Sequence, residues 1–489
     1  MTLIRALVAC AVGCQVACLT TPAPPGAAAD GAIPVDDAAI PPDGHTEPGT
    51  DAAIDAPPGS LVIVSRTPMP GDEQVNARAP ITVVFSAAID SQSAIAAVTL
   101  TAADKDVAID VAPDGDRTLS VTIKEPPAVP ATMTLAISTA LHGAQGEAFA
   151  GDEWSWTVPV WRRLGDSAAP ATATAVRLAL QGDTPVITYF DHQNGATSAV
   201  ATRWNGSAFE TVASSELKVT AVTDAALAID FDGKIALAFT DGDGALRVIR
   251  QSGATFESLT PEPLSKEAAS PALVTVSTGH LVAAFVENST LVADFFTGSE
   301  WQVAIDEGPT VVADLDVAVT GATLFAATTE RSILPVAGIS VYRGQLLGTW
   351  EDTGPCCGSS GTFTGQSEPS IVANAAGVGV AWKDNGDNAI DTAFLSGDTW
   401  APGGTASTPG AASPDVAAAG TRVLTAWVGT DNAVYVSERA QTDTGWSTLP
   451  VVGPSLGEHQ LAVDEKGVPL VLRSGNQSEP VLVRYNGSL

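Results

Sequence analysis

Few residues have a type and spacing that suggest chemistry. Cys356 and Cys357 are adjacent and, apart from Cys10, Cys14 and Cys18 near the N-terminus, are the only thiols in the chain. In an oxidising compartment such a pair can close into a vicinal disulfide and stiffen its loop, the Gly/Ser-rich segment 353–367. Free thiols and metal ligation are the alternatives, and the second lacks a nearby histidine or third cysteine. Asp191, His192, Asp241, Asp243, Asp384, Asp387 and Asp431 flank apolar strand-like runs. They mark a candidate binding face, which is also what a solvated rim looks like. Asp230-Phe231-Asp232-Gly233 and Asp241-Gly242-Asp243-Gly244 place carboxylates close enough to wrap calcium, but the full Asp-x-Asp-x-Asp-Gly pattern is absent. Asp-Gly is also a common way to build a hairpin turn.

Acid–base and nucleophilic catalysis find little footing. In the second part of the chain only His192, His280 and His459 supply imidazoles, and no Gly-x-Ser-x-Gly elbow presents a serine. Carboxylate pairs suited to glycoside cleavage are too abundant among 55 acidic residues for any one to stand out. No catalytic residue is assigned. No cofactor is expected, calcium being the one candidate.

The N-terminus carries Arg5, an apolar run from Ala6 to Val12, then small residues and cysteine. The run is too short to span a bilayer as a mature helix. The pattern resembles a lipoprotein signal peptide, in which a small residue precedes a cysteine that becomes the lipidated N-terminus. Ala11-Val12-Gly13-Cys14 fits both motif and length, so Cys14 is the expected lipidation site, with Cys18 and Cys10 as alternatives. Residues 1–18, which hold all three candidate cysteines, are read as the signal segment. Residues 19–59, rich in Pro, Ala and Asp and without an aromatic side chain, bury too little to offset ordering entropy and read as a disordered tether. The expected location is the outer membrane or cell surface.

A net charge of -32 disfavours nucleic acid and anionic headgroups as partners. Abundant Val, Thr, Gly and Pro with few helix-forming patterns predict an all-β chain. Between 60 and 158, strands are expected at Leu61–Ser65, Ile81–Ser86, Ala97–Thr101, Leu119–Ile123, Met133–Ile137 and Trp154–Val158. The order of pieces, an opening strand with Pro68-Met69-Pro70-Gly71, then Ala79-Pro80-Ile81-Thr82-Val83-Val84-Phe85-Ser86, and a closing Gly151-Asp152-Glu153-Trp154-Ser155-Trp156, resembles the SbsA-type bacterial Ig-like domain. That resemblance implies a β-sandwich spacer or adhesive module without catalytic residues. Trp154 and Trp156 share strand parity and are expected in its core.

From 159 to 489 the sequence repeats. A turn glycine recurs at Gly182, Gly233, Gly279, Gly321, Gly377, Gly420 and Gly467, intervals of about 42–56 residues that suit four-stranded propeller blades. Apolar second strands such as Ile235-Ala236-Leu237-Ala238-Phe239 follow, and then a Gly-plus-aromatic mark, as in Gly298-Ser299-Glu300-Trp301. The seventh copy stops at Leu489 before its outer strand, while Trp161-Arg162-Arg163-Leu164-Gly165 looks like the end of a blade. Joined, they close a seven-bladed ring without free sheet edges.

The repeats resemble those of sialidase-like and lectin-like propellers, though Ser396-Gly397-Asp398-Thr399-Trp400 is only a fragment of a sialidase box. A sialidase-like glycoside hydrolase would need converging arginines, drawn from Arg177, Arg247, Arg422 and Arg473, with a tyrosine and an acid. The leading expectation is a non-enzymatic, monomeric surface lipoprotein presenting a propeller to a protein or carbohydrate ligand.

Overall fold

The computed structural model describes residues 59–489 except 194, 306–307, 310–311, 331–337, 354–365, 441–442, 444, 456–458, 475–478 and 488–489. Cys10, Cys14, Cys18, Cys356 and Cys357, and with them the signal, the tether and the vicinal thiols, lie outside the described residues.

The N-terminal part is a two-sheet sandwich. One sheet orders Asp152–Val158, Ala131–Ile137, Val98–Ala102 and Lys105–Asp106; the other orders Ile63–Thr67, Ile81–Phe85, Thr118–Ile123 and Ile109–Pro113. Period-2 alternation drives this pairing, because it turns every second side chain inward. Ile81, Val83 and Phe85 are buried, as are Met133, Leu135 and Ile137 from the facing sheet. Trp154 and Trp156 both enter this core, and the Trp154 indole donates to the Pro68 carbonyl at 3.0 Å. A short helix, Ser91–Ala97, departs from the expectation of strand at Ala97. Asp90 caps it, its carboxylate accepting from the Ser93 N–H, and Ala94 and Ala97 pack inward.

Among the described residues seven further sheets follow, six of four strands and one with a short fifth strand. In the first blade Ala173–Gln181 is innermost, followed outward by Thr184–Gln193, Ala196–Trp204 and Phe209–Leu217. The other blades repeat this antiparallel order. All seven turn glycines have positive φ, from 57° to 145°. That is why the hairpins between first and second strands take glycine: a Cβ is strained there. Second strands are sandwiched between neighbouring blades, so Ile235–Asp241 is buried along its whole length. Phe190 of the first blade meets Phe239 of the second with ring centroids 5.1 Å apart.

The seventh blade orders Trp161–Arg163, Pro480–Tyr485, Pro469–Ser474 and His459–Val463. Its outer strand therefore comes from the beginning of the propeller and its other three from the end, as the truncated last repeat predicts. Among the described residues, the outer strand of the fourth blade is the two-residue Glu351–Asp352.

Candidate functional site

An axial pocket of about 540 Å³ lies where the seven innermost strands begin, and residues from all seven blades line it. Each innermost strand is the inner edge of its sheet, so it turns a row of backbone N–H and C=O groups toward the axis. Such groups require partners or water. A β-bulge opens the first six innermost strands. In blades three, five and six the bulge reads Ser270-Pro271-Ala272, Glu368-Pro369-Ser370 and Ser413-Pro414-Asp415, with positive φ at Ser270, Glu368 and Ser413. Proline there removes a donor. Blades two and four instead use Asp224 and Asp314, whose carboxylates accept from the N–H groups of Ala225 and Leu315.

Just past the bulge, one register position recurs in every blade: Arg177, Ala226, Ala272, Asp316, Ser370, Asp415 and Gln460, paired in turn with Thr188, Ala238, Ala284, Ala327, Ala381, Ala426 and Leu472. Except at Ala226 and Ala272, side chains at this position bridge to the next blade. Asp316 accepts from Ile371 N–H at 2.8 Å, Ser370 from Val416 N–H at 3.1 Å, and Asp415 from Leu461 N–H at 2.6 Å. Gln460 accepts from Leu178 N–H at 2.6 Å and so links the seventh blade to the first. Arg177, which can only donate, reaches the Ala225 carbonyl at 2.6 Å and forms an ion pair with Asp224 at 2.8 Å. These side chains form a polar belt that ties the blades together around the axis.

Asp316 and Asp415 are coupled through Ser370, whose hydroxyl lies 3.2 Å from one carboxylate and 3.4 Å from the other. Burial pushes the Asp316 carboxyl up to about 6, although Ile371 and Val317 N–H bonds oppose the rise. Burial pushes Asp415 further, to about 7, with the nearby Asp316 charge adding to it against the Leu461 N–H.

The carboxylates singled out from sequence lie elsewhere. Asp191, Asp241 and Asp384 sit at the ends of second strands, in register with Ala173, Val222 and Gln366 where the innermost strands begin. They are thus at the mouth end of the blades, yet none of the seven expected residues lines the axial pocket. Most are occupied in shaping hairpins. Asp241 accepts from the N–H groups of Asp243 and Ala245 and pairs with Arg247 at 3.1 Å. Asp384 and Asp387 accept from Gly386 and Ala389, and Asp431 from Ala433 and the Tyr435 hydroxyl. Asp191 takes the Thr172 hydroxyl, and His192 contacts that of Thr197. At the first candidate calcium loop, Asp230 and Asp232 both grip Arg250.

The arginines of the hydrolase alternative do not converge. Arg177 alone of the four lines the axial pocket, and it is paired there. Arg247 binds Asp241, Arg422 binds Glu438, and Arg473 donates to the Pro454 carbonyl. The belt leaves no residue-type pattern in the sequence, because its members share a register and not a residue type. The signal that could have exposed it is the recurring x-Pro-x frame around Pro271, Pro369 and Pro414.

Residues 58–158 match the model of the bacterial Ig-like domain family. No curated protein matches the chain significantly. Among solved structures, a fucose-specific lectin from Aleuria aurantia is similar at 13% identity and a TM-score of 0.39, over 54% of this chain and 96% of the lectin. An oligogalacturonate lyase from Vibrio parahaemolyticus is similar at 8% identity and 0.45, over 66% and 93%. An auxiliary nutrient binding protein from Bacteroides thetaiotaomicron is similar at 10% identity and 0.37, over 87% and 98%. Likenesses this distant do not bear on what this chain binds.

Proposed function

We propose that this is a non-catalytic binding protein of the bacterial surface, exported and held by lipid on Cys14, with Cys18 and Cys10 as the alternative sites. Residues 19–59 act as a tether, the Ig-like domain as a stalk, and the propeller presents its axial pocket to a protein or carbohydrate ligand. The observation that carries this reading is the employment of the pocket's polar side chains. Arg177, Asp316, Ser370, Asp415 and Gln460 are engaged in joining blades. What remains is a concave polar surface suited to hydrogen bonding.

One observation favours the second reading, a glycoside hydrolase. Asp316 and Asp415, raised to about 6 and about 7, can keep a proton near neutral pH, as a general acid must. Against it, each already accepts a backbone N–H, and no tyrosine lines the pocket among the described residues.

Glycan-array binding and partner capture by the purified chain, alongside polysaccharide digestion assays, separate the readings. Saturable binding without turnover supports the first. Hydrolysis abolished by Asp415→Asn would replace it with the second.

A further inference from the structure

The belt is interrupted on one side of the pocket. Leu178, Ile371, Val416 and Leu461 each follow the belt position and turn their N–H toward the preceding blade's side chain. Leu227, Leu273 and Val317 hold the same place in blades two, three and four, in register with Leu237, Ala283 and Ala326. Val317 N–H is taken by its own blade's Asp316 carboxylate at 2.8 Å. Leu227 and Leu273 are served differently. Arg177 stands where Leu227 would find its acceptor, but a guanidinium accepts nothing and bonds the Ala225 carbonyl instead. Ala226 stands before Leu273 and offers only a methyl group. Both leucines line the pocket, and no side chain of the described residues bonds to their N–H groups.

We infer that this gap, over Ala226 and Ala272, is the pocket's subsite for a neutral hydroxylated ligand such as one edge of a sugar ring. The assignment rests on the axial pocket being the binding site. Its chemistry follows from what surrounds the gap. Two backbone N–H groups supply donors, while Asp224 and Asp314, one step nearer the mouth, supply acceptors. Asp224 is neutralised by Arg177, and Asp314 already takes the Ser270 hydroxyl at 3.0 Å. An anionic ligand would meet the carboxylates of Asp314 and Glu368 in the same lining; a cationic one would meet the positive ends of the two N–H dipoles. A hydroxyl both donates and accepts, so it satisfies either wall without a net charge. The alanine methyls provide a small apolar floor for the C–H face of such a ring.

The test is saturation-transfer NMR on the full chain with galactose, N-acetylglucosamine, glucuronic acid and glucosamine as probes. The two neutral sugars should bind and the charged two should not. Ala226→Gln copies Gln460 and places an acceptor on the Leu273 N–H. It should weaken neutral-sugar binding by about tenfold, the loss of roughly one good hydrogen bond, while leaving Tm unchanged or higher. Should that variant misfold, Ala226→Ser copies Ser370 with less volume and carries the same expectation. Equal binding by the variant, preference for a charged probe, or no response to either neutral sugar would overturn the assignment. A glycan-array ligand indifferent to Ala226→Gln removes this subsite alone; silence from both array and monosaccharides removes the carbohydrate-binding reading with it.

Discussion

Trp161 and Tyr485 face each other in the register that closes the propeller, ring centroids 5.1 Å apart with planes at 58°. The Trp161 indole also donates to the Pro450 carbonyl at 2.8 Å, which reaches into the sixth blade's end. One residue near the start of the ring thus holds two segments from its finish. Trp161→Ala should cost about 3–5 kcal/mol, typical of emptying a buried tryptophan site, and lower the calorimetric Tm. Deleting residues 484–489 should do at least as much, whereas deleting 19–59 should leave Tm in place. Equal effects from the two deletions would mean that the ring does not depend on this clasp.

Asn486 extends the clasp into the Ig-like domain. Its side chain is buried, and its amide donates to the carbonyls of Val75 and Pro159, both at 3.0 Å. Nearby, Arg163 N–H donates to Gln74 Oε1 at 2.8 Å. Asn486→Ala leaves two inward carbonyls without a donor, at roughly 1–3 kcal/mol. Calorimetry should show one unfolding transition for the native chain and a broadened or split one for the variant, as the Ig-like domain uncouples. A variant that unfolds as one sharp transition at the native Tm would show that the joint is not needed.

The parts of this architecture that could be read from sequence are those where one residue type is demanded by local geometry. Glycine recurs from Gly182 to Gly467 because each hairpin requires positive φ. Trp161 was legible because a blade fragment out of place implies a missing counterpart. The belt was hidden for the opposite reason: its task is to offer an acceptor, or failing that a donor, to the next blade, and Asp, Ser, Gln and Arg all serve. The Ser91–Ala97 helix was hidden because seven residues make too short a pattern, and only the Asp90 cap marks it. The hairpin carboxylates, conspicuous in sequence, serve turns, since an aspartate before a turn satisfies backbone N–H groups.

Export and anchoring are checked at Cys14. Mass spectrometry of the membrane-extracted chain should find an N-terminal peptide starting at Cys14 with a lipid on its sulfur. Cys14→Ala should move the protein from the detergent phase to the aqueous phase, since the tether supplies no apolar segment to replace the lipid. If Cys18→Ala or Cys10→Ala produces that shift and Cys14→Ala does not, the processing site is the other cysteine.

The carboxylate pair in the belt makes stability depend on pH with a definite sign. Asp316 and Asp415 are raised to about 6 and about 7 from an ordinary 3.8, first by burial and then, for Asp415, by the Asp316 charge. The folded chain therefore holds these protons more tightly than the unfolded chain. Their contribution to stability is full below about pH 4 and is lost as pH rises through 6 and 7. Their direct partners are Ser370 and the N–H groups of Val317, Ile371, Val416 and Leu461, which carry no charge, with Asp314 nearby; Arg177, Glu368 and His459 line the same pocket. Native Tm should fall between pH 5 and pH 8. Asp415→Asn keeps an acceptor for Leu461 N–H and cannot ionise, so its decline should be shallower and its Tm at pH 8 higher than native. Ser370→Ala removes both the bridge and the acceptor for Val416, and should lower Tm at every pH. Parallel native and Asp415→Asn profiles would show that the pair does not share a proton in the folded ring.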